Sequence, residues 1–90
     1  MKPTLADEMA ERLRAQLHPD AVQVDDESWQ HEGHVGANGT GFGTHFRVHI
    51  TSASFAGLSR VARHRLVYDA LQDFISDRGV HAIAIDAQQS

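Results

Sequence analysis

Ninety residues, 41% of them hydrophobic and 22% charged, suffice for one small domain with one core, and no apolar run approaches the length of a membrane span. Cysteine is absent, so the fold cannot be stapled by disulfides, and chemistry that needs a thiol must receive it from another molecule. A net charge of -4 argues against general attraction to nucleic acid, but the balance is uneven: residues 33–68 carry Arg47, Arg60, Arg63 and Arg65 with no acid, between acidic ends.

The amino terminus, MKPTLADEMAERLR, acquires acids at once and does not read as a secretory signal, so a cytoplasmic location is expected. A helix is expected from Thr4 to Leu17. Leu5, Met9, Leu13 and Leu17 form its apolar stripe with Ala6 and Ala10 beside it, Thr4 caps it with Asp7 reaching back, and His18-Pro19 ends it. Ala21 to Trp29 reads as a strand with Val22 and Val24 on one face. Asp25, Asp26 and Glu27 lie toward its exposed end, and adjacent strand residues point to opposite sides, so three acids in a row do not converge on a hard cation.

Residues 30–42, QHEGHVGANGTGF, form a glycine-rich loop with a turn signal at Asn38-Gly39. The loop lacks the GxxxxGK(S/T) pattern and a following helix, which argues against the phosphate-cradle reading. It displays His31 and His34. Gly43 to Ser52 is the clearest strand: Phe46, Val48 and Ile50 alternate with His45, Arg47 and His49, giving one covered face and one solvated face. Four positions along a strand put His45 and His49 more than about 10 Å apart, too far to hold one metal.

Phe55 then anchors a connection and Gly57 bends it. The following helix is expected from Ser59 to about Ser76, with Leu66, Val67, Ala70, Leu71, Phe74 and Ile75 as its apolar stripe and Gly79 beyond its end. Arg63, His64 and Arg65 stand near its start, where a core helix emerges to solvent, and His64 shares a face with Tyr68. Val80 to Asp86 reads as a last strand, with His81 at its start on the same parity as Ile83 and Ile85, and the tail AQQS carries no evident structural demand. The expected architecture is a single α+β domain spanning residues 1–90, an α/β sandwich in which helices cover one face of a three-stranded mixed sheet.

DDES at 25–28, His31 in the loop, THFRV at 44–48, the FxGxxxxxRHRxVY pattern ending at Tyr68, and VHA at 80–82 together resemble the BolA family over nearly the whole chain. The resemblance implies a BolA-like fold similar in topology to class II KH domains, and partnership with a monothiol glutaredoxin. In such pairs a 2Fe-2S cluster is bridged, with glutaredoxin and bound glutathione giving thiolates and the BolA-like protein giving histidine nitrogen. The position at the start of the last strand falls on His81, and the loop ligand falls on His31, with His34 as the alternative. No cluster is expected in the isolated chain. Arg60, Arg63, His64 and Arg65 are the candidate docking surface for the partner. Many family members continue into a further helix after the last strand, which this sequence does not contain.

Two other classes stand beside this reading. A KH-like nucleic-acid-binding regulator of transcription would use Arg47, Arg60, Arg63 and Arg65, provided they form one continuous surface, but the GxxG loop of KH recognition is missing. An enzyme is not expected, because no nucleophile motif is present and nothing specifies a closed pocket around Asp25 and His31.

Overall fold

The computed structural model describes residues 4–28 and 44–90. Helix α1 spans Leu5–Leu17 and begins in a capping box: the Asp7 amide donates to Thr4 Oγ1 at 3.1 Å and the Thr4 amide donates to the Asp7 carboxylate at 3.0 Å. Two orphan amides are satisfied reciprocally, and the acid stands at the positive end of the helix dipole. These bonds hold the Asp7 carboxyl below its ordinary value. The helix ends at His18, which takes the left-handed conformation (φ 46°) and returns its amide to the Arg14 carbonyl. Met9, Ala10, Leu13 and Leu17 are the buried face.

Strands β1 (Ala21–Asp26), β2 (His45–Ser52) and β3 (Ala82–Gln89) form one sheet in the order β1-β2-β3. β1 pairs antiparallel with β2, with Val24 opposite Val48, and β3 pairs parallel with β2, with Ile85 opposite Val48. A parallel neighbour requires a crossover, and the helices between β2 and β3 supply it. The alternation expected for β2 holds: Phe46, Val48 and Ile50 are buried against the helices, while Arg47 and His49 face solvent. A short 3-10 turn, Ala53–Phe55, then drops Phe55 into the core, where it is fully buried.

The expected single helix from Ser59 to Ser76 is instead two. Helix α2 spans Arg60–Ala70, capped by the Ser59 hydroxyl, and α3 spans Gln72–Asp77, with Leu71 between them at φ -108°. In an unbroken helix the Phe74 amide would donate to the Ala70 carbonyl; here it donates to Leu71 at 3.0 Å, and Ala70 accepts from the Arg12 guanidinium at 3.1 Å. A side chain from α1 has inserted itself into the hydrogen-bond ladder, which breaks the axis. Arg12 also forks onto the Asp73 carboxylate, and Arg78 forks onto Glu8, so both ends of α3 are tied to α1. The two guanidiniums lie over the Phe74 ring at 5.0 and 5.6 Å.

One burial and two boundaries also differ from expectation. Leu66 is exposed, and the buried members of the α2–α3 stripe are Val67, Ala70, Leu71 and Phe74. β1 ends at Asp26 rather than continuing to Trp29, which lies outside the described residues. β3 starts two residues later than expected and runs three further, because β2 offers a parallel partner as far as Ser52, opposite Gln89. Ala87, Gln88 and Gln89 therefore belong to the sheet. Among the described residues no helix is long and apolar enough to cross a membrane.

Candidate functional site

One end of the sheet is organised around the hydroxyl of Ser28, a buried residue just beyond β1. Ser28 Oγ donates to the Asp26 carboxylate at 2.6 Å and accepts the amides of Thr44 at 2.8 Å and His45 at 2.9 Å. The Glu27 amide adds a bond to the His45 carbonyl at 2.8 Å. These bonds close the base of the segment 29–43 by pinning its two flanks side by side.

Thr44, also buried, then joins the third strand to this corner. Its carbonyl accepts the amides of both His81, at 2.7 Å, and Ala82, at 3.2 Å. Its hydroxyl hydrogen-bonds His45 Nδ1 at 2.9 Å. The result is two imidazoles at one corner: the rings of His45 and His81 have centroids 5.3 Å apart and planes tilted by 54°. His81 is exposed and His45 half-buried.

His81 therefore stands where the sequence places it, at the head of the last strand and next to the flanks of the glycine-rich loop. His31 and His34 lie outside the described residues. Alternation along β2 places His45 on the solvated face with His49, and its neighbour proves to be His81. Strand alternation gives the two residues opposite parities, but His81 precedes the first residue of β3, and the rings meet at the end of the sheet. No local sequence signal gives this proximity, because it depends on the register that sets His45 opposite Ala82, immediately after His81.

The arginines occupy other places. Arg63 turns back over the far end of β3, donating to the carbonyls of Leu58 at 3.1 Å and Ala87 at 3.4 Å. With Arg60 and His64 it lines an open groove of about 460 Å³ between α2 and the segment Ile85–Gln88. Arg65 shares a shallower apolar depression with Val61, His64 and Tyr68. Six residues along a strand separate His81 from Ala87, about 20 Å, so a protein partner can span both regions whereas a small ligand cannot. Arg47 is on the opposite face of the sheet, paired with Glu27 at 3.1 Å. Arg47 thus lies across the sheet from α2, which carries the other three arginines that a nucleic-acid surface would use.

On that open face His49 sits between Asp25, at 3.9 Å, and Asp86, at 3.5 Å. The Gln88 amide and then His49 hold the Asp86 carboxyl below its ordinary value. Among the described residues no set of three or more histidines and carboxylates converges on a point suited to a metal.

Comparison with known proteins matches the architecture. The family model described as BolA-like protein covers residues 13–90. An uncharacterized protein in the cobS 5' region of Sinorhizobium sp is 44% identical over 84 residues, covering 92% of this chain and 88% of that protein. The chloroplastic protein BOLA1 of Arabidopsis thaliana is 44% identical over 81 residues, and the match takes in 89% of this chain but only 50% of that protein. Among solved structures, the BolA domain of SufE1 from Arabidopsis thaliana superposes with a TM-score of 0.83 at 38% identity, over 99% of this chain and 95% of that one. With the mixed sheet, the crossover helices and the Ser28–Thr44–His81 corner all inside the matched span, the chain belongs to the BolA family.

Proposed function

We propose that this chain acts in iron-sulfur cluster assembly, trafficking or iron-status regulation by binding a monothiol glutaredoxin and supplying histidine nitrogen to a glutathione-containing 2Fe-2S cluster shared between the two proteins. The observation that carries the reading is His81: an exposed imidazole whose backbone is fixed by the Thr44 carbonyl, beside the closed base of a loop that contains two more histidines. Similarity to the BolA domain of a SufE protein supports the iron-sulfur side of the proposal.

The donor set fits such a group. Imidazole is a suitable iron ligand, and mixed thiolate and histidine ligation is established chemistry for 2Fe-2S centres. A chain without cysteine supplies only the nitrogen half, which makes a thiol-bearing partner necessary. His81 is the fixed donor. His31 is the second, with His34 as the alternative; three residues beyond Ser28, it remains within about 11 Å of that anchor by chain length alone. The cluster, when bound, supplies electron-transfer and iron-sulfur transfer chemistry, while the chain's own contribution is to hold nitrogen ligands at one exposed corner and to dock the partner. Arg60, Arg63, His64 and Arg65 are the proposed docking residues, and the role is one of binding rather than catalysis.

The test is coexpression with a monothiol glutaredoxin, followed by visible absorption and analysis of iron, acid-labile sulfide and glutathione in the purified complex. A coloured heterocomplex whose visible circular dichroism differs from that of the glutaredoxin alone supports the proposal. Absence of a complex, or a spectrum unchanged from glutaredoxin alone, removes it.

A further inference from the structure

The outer side of β3 is a sheet edge, and α2 lays cationic side chains beside it. We propose that this edge binds an extended acidic segment of a partner protein by strand addition, the segment's backbone pairing with β3 while its carboxylates meet Arg60, Arg63 and His64.

The direction of each backbone group on β3 follows from its ladder. Successive residues of a strand present their N–H and C=O to opposite sides. The Ala82 and Ser90 amides donate to Thr44 and Ser52 on the β2 side, so the even-numbered positions face β2. Ile83, Ile85, Ala87 and Gln89 therefore turn their groups outward, and β3 is the last strand in the sheet order. Among the described residues the one outward group already engaged is the Ala87 carbonyl, which accepts from Arg63 at 3.4 Å. The outward groups recur every second residue, about 6.8 Å, which is the repeat of a further strand. A row of unpaired amides and carbonyls is a template for another chain, and the β3 sequence AIAIDAQQ has few of the devices that blunt such an edge: no proline, no lysine and a single charge.

Charge selects the occupant. The groove along this edge is lined by Arg60, Arg63 and His64 against one acid, Asp86. Arg60 is exposed and forms no salt bridge among the described residues. Side chains of an added strand alternate between the two faces, so carboxylates on the α2 side stay clear of Asp86, which faces the other way beside His49. A second copy of this chain does not meet the need. An antiparallel seam of β3 on β3 keeps both α2 helices on the same side of the joined sheet and sets their cations against each other. Nucleic acid matches the charge but has no backbone amide to offer the Ile83 and Ile85 carbonyls.

Strand addition deepens the docking role proposed for Arg60, Arg63 and His64 and rests on that reading for the use of this surface. Binding of a peptide, however, needs neither glutaredoxin nor cluster, and His81 lies at the other end of β3. Loss of peptide binding and loss of the coloured complex are therefore separate results.

The experiment titrates the isotope-labelled isolated chain with a blocked peptide of alternating valine and glutamate, long enough to cover residues 83–89. The matched probes are the same peptide with every backbone nitrogen methylated, which keeps the charge and removes the amide donors, its valine and lysine analogue, and an oligothymidylate. Amide shifts and hydrogen exchange are read in wild type, and affinity also in Arg60→Glu, with far-UV circular dichroism to check folding. Saturation with the glutamate peptide should slow exchange at the Ile83, Ile85 and Ala87 amides at least about tenfold. Methylation or lysine should each weaken binding at least about tenfold, and Arg60→Glu about fivefold or more. The proposal is overturned if wild type does not bind the glutamate peptide, if exchange at those three amides is unchanged, or if the methylated peptide, the lysine peptide or folded Arg60→Glu binds as well as the unmodified pair. Tighter binding of oligothymidylate at the same residues would make the groove a nucleic-acid surface instead, and self-association that already protects those amides without peptide would assign the edge to a second copy; either result overturns it.

Discussion

The Arg12 guanidinium occupies the carbonyl of Ala70, the oxygen that a continuous helix would give to the Phe74 amide. It also pairs with Asp73 and holds that carboxyl below its ordinary range. The folded state therefore binds a proton at Asp73 less readily than the unfolded state does. Stability from the pair is complete above the unfolded carboxylate value, near about pH 4, and is lost as pH falls through the lower folded value. Arg12→Ala should lower the melting temperature at pH 7, and the gap from wild type should narrow on acidification toward pH 2. Parallel melting curves across that range would show that the pairing does not act this way.

Ser28 closes the corner with one hydroxyl that meets Asp26, Thr44 and His45. Ser28→Ala leaves two amides without that acceptor in a buried place and should cost about 1–3 kcal/mol in urea unfolding. Its effect on cluster retention in complexes with a monothiol glutaredoxin should exceed that of Ser76→Ala, whose hydroxyl makes an exposed bond to Gln72 on α3. Equal effects would mean that Ser28 contributes nothing to presenting the histidines.

His81 is fixed by the sheet, whereas the loop offers two histidines for one role. In complexes with a monothiol glutaredoxin, His81→Ala should therefore reduce iron and sulfide content more than His31→Ala, and His34→Ala should have the smallest effect. Nitrogen hyperfine coupling in the reduced cluster reads the same order directly. A wild-type signal from folded His81→Ala would remove it as a ligand, and loss of the loop-derived signal only in His34→Ala would move the second ligand to His34.

The arginines of α2 divide by what they already touch. Arg65 is exposed, so Arg65→Glu should slow association with glutaredoxin while leaving the melting temperature close to wild type. Arg63 donates to Leu58 and Ala87, so Arg63→Glu should lower the melting temperature as well. The slowing should be strongest at low salt, where exposed charges are least screened. Association rates for Arg65→Glu that match wild type at both low and high salt would exclude it from the docking surface.

What sequence could and could not convey follows from the range of each interaction. The α1 cap was legible because Thr4 and Asp7 are three residues apart, and the covered face of β2 because Phe46, Val48 and Ile50 alternate within one strand. The break at Leu71 was not, since the group that competes for the Ala70 carbonyl comes from Arg12, 58 positions earlier in the chain. His81 was legible in its VHA motif. Its proximity to His45 was hidden, because local alternation sends the two residues to opposite faces and only the parallel register of β2 and β3 brings their rings together.

That register also bears on when the corner comes into being. β1 and β2 are neighbours in sequence and can pair early, but β3 reaches β2 only after the crossover helices have been placed, and such non-local closure is slow relative to local pairing. Ser28, Thr44 and His45 can be positioned before this step; His81 cannot. A chain still emerging from the ribosome, or one cut before β3, has half of the corner and no second ring to complete it. In the proposed pairing with a glutaredoxin, a molecule whose last strand has not docked would present no fixed His81 ligand, and its own topology would keep it from loading.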